Sequence, residues 1–200
     1  MKDSLLIVLF FAVGLVLSYF NLIPEILLHQ DISTYVLYLL MIVVGINVGS
    51  DKDALKVLYK ANWKIILVPL TVIVGSISAT ALFSLLISDL NMQEAMAVGS
   101  GFGYYSLSSI LISELHGETL GTIALLANVI REIMTLLFAP LLLFAFGKLA
   151  PVAAGGATSM DTTLPIITRV SGNEYGIIAI FSGLVLTLLV PVIVTFILSF

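Results

Sequence analysis

Residues 155–165 read GGATSMDTTLP, and the fold turns on whether this stretch lies in water or in the membrane. Eleven residues hold Gly155 and Gly156, the hydroxyls of Thr158, Ser159, Thr162 and Thr163, the carboxylate of Asp161, and Pro165. The chain around them is 60% hydrophobic and only 10% charged, with a mean hydropathy of +1.19. A soluble domain carries about 25% charged residues. The composition therefore predicts an all-α integral membrane protein, a single transmembrane domain over residues 1–200. An Ala-rich segment precedes the polar stretch and Ile166 and Ile167 follow it, which favours a place at depth over an external loop. Backbone that leaves helical geometry in hydrocarbon must be shielded by protein or line a wet cavity.

Working outward, five apolar runs reach the roughly 20 residues that a spanning helix needs: about 4–22, 32–48, 65–88, 119–147 and 175–199. The first is too long for a signal-peptide core and is followed by further spans, so it reads as a retained helix. Segments 94–114 and 151–172 are weaker, interrupted by Gly and polar residues. They are predicted to be two broken or re-entrant helices in the interior, and they have the look of halves of an internal repeat. Lys52, Lys56, Lys60 and Lys64 fall in one loop with Lys2 ahead of the first span. The bias of basic residues to the cytoplasmic side puts the N-terminus and that loop inside. The C-terminus is then outside whether both weak segments cross or both re-enter. Four lysines at every fourth position form one cationic stripe on a helix, read as an interfacial helix lying against membrane lipid.

Glu132 falls near the middle of 119–147. A charge there costs at least about 2.5–3.5 kcal/mol to insert, so it is expected to serve a site or a paired contact. Asn128, one turn earlier, and Thr135 share its stripe. Arg131 points elsewhere and is expected to act as a structural counter-ion. In the opening stretch, Pro165 would free the carbonyl of Asp161 if the chain were helical there. The reading is then a carboxylate, bare carbonyls and hydroxyls gathered at a helix break, an arrangement found in secondary transporters. The other interrupted segment contains VGSGFGYYSLSS, residues 98–109. Gly101, Gly103 and Tyr104 are candidates for the same site, while Ala95, Gly99 and Gly103 also form a small-residue face for close packing. The candidate binding residues are thus Glu132, Asp161, Asn128, Thr158, Ser159, Thr162, Gly101, Gly103 and Tyr104. Asn47 and Glu114 are read first as interfacial residues.

The absence of cysteine excludes disulfides and thiolate sites, His29 and His116 are isolated in the sequence, and no metal or cofactor is expected. The Gly-x-Gly follows no strand and is not a nucleotide loop. No basic surface suggests nucleic acid.

Three motifs in series, GSGFGYYSLSSILISELHG, LGTIALLANVIREIMTLLFAPLL and GGATSMDTTLPII, resemble the bacterial lysine exporter family LysO over about residues 94–190. The resemblance implies export of L-lysine and its analogues across the bacterial inner membrane, and an antiporter-like architecture of inverted repeats with interrupted helices. It places the family's intramembrane acidic positions on Glu132 and Asp161. Longer members carry further membrane segments ahead of the matched part. A homo-oligomer, or a separate small subunit that supplies those helices, is therefore expected. The function expected is not enzymatic: proton antiport of lysine on the paired carboxylates. The rival readings are a sodium/proton antiporter and a membrane scaffold or accessory subunit.

Overall fold

The structure is a computed structural model that describes residues 63–86 and 90–199, together with isolated positions between 9 and 46. Apart from those positions, the spans expected at 4–22 and 32–48 lie outside the described residues. So do Asn47, His29 and the lysine stripe up to Lys60. Among the described residues all regular structure is helical.

Among the described residues, three helices are long and apolar enough to cross a membrane. These are α1 (Trp63–Ser84), α4 (Glu118–Phe146) and α7 (Asn173–Leu198). At 1.5 Å per residue they are roughly 33, 43 and 39 Å long, against about 30 Å of hydrocarbon. In the most apolar window of α7, 50% of residues are buried, but only 11% in α1. α7 is therefore the central span and α1 lies at the periphery of the described part. Leu186, Val190 and Val194 of α7 join Phe102, Leu107, Ile112, Ala124 and Ala157 in the main apolar core.

Between the spans lie two broken elements. α2 (Met92–Gly99) and α3 (Tyr105–His116) form the first. The second consists of α5 (Ala150–Gly155), a 3₁₀ turn over Gly156–Met160 and α6 (Leu164–Ser171). Stacked end to end, the 20 helical residues of α2 and α3 would span about 30 Å. Instead, Nε2 of His116 at the end of α3 lies 3.1 Å from Oε1 of Glu94 in the first turn of α2. The chain therefore folds back to the end it entered from. The second element does the same: Nζ of Lys148, just before α5, is 3.7 Å from Oε1 of Glu174, just after α6.

The hairpins enter from opposite ends. Gln93 Nε2 donates to the Ile197 carbonyl at 2.7 Å, so the first opens where α7 finishes. The second opens where α7 begins. Each returns to the next span through one glycine, Gly117 (φ 95°, ψ 160°) and Gly172 (φ 109°, ψ 155°). That backbone region is essentially reserved for glycine, which is how a reversal fits into one residue.

Ends and breaks follow local chemistry. Asn91 caps α2 through its side chain, which accepts from Glu94 N, while Glu94 accepts from Asn91 N, a reciprocal pair that stabilises a helix start. Pro165 sits in the first turn of α6, where an N–H would have no intrahelical partner anyway. It begins a half-helix and does not interrupt one. The Asp161 carbonyl accepts from Leu164 N at 3.2 Å, so the expected free carbonyl is not found there.

Candidate site where the two hairpin tips meet

α4 provides the spine of the site. Asn128 and Arg131 stand one turn apart near its midpoint, and each holds one hairpin tip. The amide oxygen of Asn128 accepts from Gly103 N at 2.7 Å. Its nitrogen donates to Ala124 O at 2.8 Å and to Val98 O at 3.3 Å. The first break is thereby bound on both sides, and the Asn128 amide is committed to backbone.

Arg131 does the same for the second break. Nε donates to Ala154 O at 2.9 Å and Nη2 to Ala153 O at 3.0 Å. Nη1 donates to Ser76 Oγ on α1 at 3.0 Å. The structural role expected of Arg131 is thus visible in detail, but its partners are carbonyls at the end of α5. Sequence alone gives no signal for Ser76, which looks like one more hydroxyl in an apolar span.

The tips are joined directly: Ala157 N donates to Phe102 O at 2.8 Å. Phe102 is fully buried and has φ 49°, unusual for a residue with a side chain. A Cβ on Gly156 would collide with the Phe102 carbonyl oxygen, and one on Gly101 would come within 2.5 Å of Asn128 Nδ2. Both glycines leave room that a side chain would fill.

The hydroxyls expected to meet a ligand mostly stitch the second tip together. Thr158 Oγ1 donates to Gly155 O at 2.9 Å. Ser159 Oγ reaches Gly156 O at 2.6 Å and Ala179 O on α7 at 2.8 Å. The carbonyls of residues 153–156 are therefore satisfied within the protein, which corrects the expectation of bare carbonyls in this stretch. The small-residue face is likewise divided. Gly99 packs so closely on Thr80 that a Cβ would clash, and Ala95 is buried, but Gly103 lies beyond the helix in the break.

Two carboxylates remain. Glu132, at the midpoint of α4, has 0% exposure, and its stripe partners Asn128 and Thr135 are buried with it. Thr135 Oγ1 donates to Arg131 O at 2.9 Å. Asp161 follows the 3₁₀ turn and is exposed. Its Oδ1 accepts from Thr162 N and from Thr162 Oγ1 at 3.3 Å. Glu132 and Tyr104 both lie close enough to Asp161 for an electrostatic interaction. Tyr104 precedes α3 at the first tip, so the enclosed acid, the accessible acid and the phenol come from all three parts of the site. Glu114 is exposed on α3, away from this level. No group of acidic or histidine side chains that could hold a metal occurs among the described residues.

A groove of about 530 Å³ also runs along α4, lined by Met134, Phe138, Leu141, Leu142 and the edge of Arg131. Its walls are apolar, so it does not suit a cation.

Opposed helical hairpins whose tips meet beside a long apolar helix define a helical membrane protein with a polar centre held by interrupted backbone. The profile of the lysine exporter LysO family matches residues 8–198, and the chain belongs to that family. It is 36% identical over 166 residues to the protein named lysine exporter LysO of Escherichia coli (strain K12). That match covers 83% of this chain but 54% of the relative, so the chain spans about half the length of that protein. A protein named putative lysine exporter, from Haemophilus influenzae (strain ATCC 51907 / DSM 11121 / KW20 / Rd), is 33% identical over 171 residues, covering 84% of this chain and 85% of the relative. No solved structure matches the chain.

Proposed function

We propose that the protein exports L-lysine across the bacterial inner membrane by exchange for protons, with Glu132 and Asp161 as the shared acceptors. The observation that supports this most is that Glu132, buried on α4, and Asp161, just past the second tip, lie close enough to interact electrostatically. One acid is enclosed and the other accessible, and family membership supplies the substrate.

Lysine at neutral pH carries two ammonium groups and one carboxylate. Two acids suit the ammonium groups. The starts of α3 and α6 lack a side-chain capping bond and carry the positive ends of their dipoles, which suit the carboxylate. Moving the net positive charge outward against an inside-negative potential costs about 2.3 kcal/mol per 100 mV. Proton entry offsets this cost if proton and ammonium compete for the same carboxylates: protonation from outside expels lysine, and loss of the proton inside restores the site. The opposed hairpins suggest two halves of inverted topology, each offering one side of the membrane a path to the centre. In this arrangement the N-terminus and Lys148 face the cytoplasm and the C-terminus faces outward. A homo-oligomer or a small partner subunit completes the assembly that longer relatives carry in one chain.

Proteoliposomes loaded with labelled lysine test the coupling. Lysine efflux should rise several-fold when the outside is made acidic relative to the inside, and the interior should acidify in step. Efflux indifferent to the gradient would refute proton exchange.

A further inference from the structure

The geometry points to Arg131 as the positioning residue of the site: a tethered cation that occupies the carbonyl end of α5 and thereby holds Asp161 at its working distance from Glu132.

The carbonyl end of a half-helix buried at mid-depth carries partial negative charge, and such ends are used elsewhere to coordinate cations. Here the end of α5 is taken. Ala153 O and Ala154 O both accept from the Arg131 guanidinium, which is charged at neutral pH. The hydroxyl contacts of Thr158 and Ser159 take the next two carbonyls. Each of these four carbonyls already accepts a bond within the protein, and the guanidinium repels a second cation, so the attraction of a substrate ammonium falls mainly to the carboxylates. The third arm, to Ser76 on α1, fixes the direction of the guanidinium. The side chain also passes close to both tips: Nη2 would lie 3.1 Å from a Cβ on Gly156, and Cδ 3.9 Å from one on Gly103. Asp161 ends the short 3₁₀ turn that begins at Gly156. Fixing residues 153 and 154 therefore fixes where that turn delivers its carboxylate. Glu132 is the next residue after Arg131 on a rigid helix, so one residue pair sets both acids in a common frame.

This inference rests on the lysine-binding reading of the acid pair, and the test separates the two. The chain contains no cysteine, so a single cysteine at Thr162 reports the environment of Asp161 in intact membranes. Arg131→Lys keeps the charge but replaces a planar three-way donor with a point charge. Arg131→Gln removes the charge, and Ser76→Ala removes one arm.

In proteoliposomes Arg131→Lys should raise the apparent KM for lysine roughly tenfold while the maximal rate stays within about threefold, the pattern of a weakened binding site. Ser76→Ala should shift KM in the same direction by roughly two- to threefold. Arg131→Gln should abolish measurable transport and change the maleimide reactivity of the cysteine at 162 several-fold. Arg131→Lys should restore most of the parental reactivity. Parental KM in Arg131→Lys, or parental reactivity at 162 in Arg131→Gln, would overturn the assignment. So would a loss confined to maximal rate or protein abundance. If the unaltered protein carries no lysine, the export reading fails, and the reactivity at 162 in the three variants still decides the role of Arg131.

Discussion

Asn128 and Arg131 divide the labour of one helical turn. Asn128 holds the first tip, where Gly103 N and Val98 O bind it. Arg131 holds the second. Both are polar groups at a depth where an unpaired partner is expensive. Removing one side of a buried hydrogen bond exposes the other to a desolvation penalty of about 1–3 kcal/mol. Asn128→Ala leaves Gly103 N without its acceptor and takes one of two donors from Val98 O, which keeps Gly101 N. It should lower stability by about that amount, read as a lower midpoint of thermal unfolding in detergent. Asn128→Asp keeps the acceptor and loses the donors, so it should fall between Ala and the parent. An Asn128→Ala protein that melts with the parent would show that the amide does not brace the tip.

At the scale of elements, the reversals at Gly117 and Gly172 are the sharpest constraint. Each lies in a backbone region that disfavours side chains by about 1–3 kcal/mol. Gly117→Ala and Gly172→Ala should each destabilise by about that much, while Gly75→Ala on α1, with nothing within 4 Å of the new methyl, should be neutral or mildly stabilising. Equal behaviour of all three variants in thermal unfolding would contradict the one-residue reversals.

The long spans were plain in the sequence because apolar runs declare themselves. The run at 119–147 became a helix over 118–146, and that at 175–199 a helix over 173–198. The folding back of the weak segments was not legible. Half-helices of 8 and 12 residues carry the same local signals whether they stack or reverse. What decides is contact between residues such as Glu94 and His116, 22 positions apart. The site was legible in its charges, because ionised groups in an apolar run are costly enough to be noticed. Its hydroxyls were less legible, because nothing local tells whether a threonine faces a ligand or the carbonyl three residues back, and Pro165 was misread, since it starts a half-helix. Phe102 O as the meeting point of the tips had no side-chain signature at all.

In the molecule as a whole, the described helices alternate: span, hairpin, span, hairpin, span. The hairpins approach from opposite ends and meet beside the centre of α4. This arrangement explains why the acids tolerate their location: backbone that has left helical geometry must be surrounded by polar partners, and those partners soften the surroundings of the charge.

Lysine binding to the purified full-length protein, measured by calorimetry, tests that centre most directly. The parent should bind lysine, and Glu132→Gln and Asp161→Asn should each weaken binding by at least tenfold, which corresponds to about 1.4 kcal/mol, without changing insertion or the unfolding midpoint by more than a degree or two. Undiminished lysine affinity in either variant would contradict a site shared by the two acids.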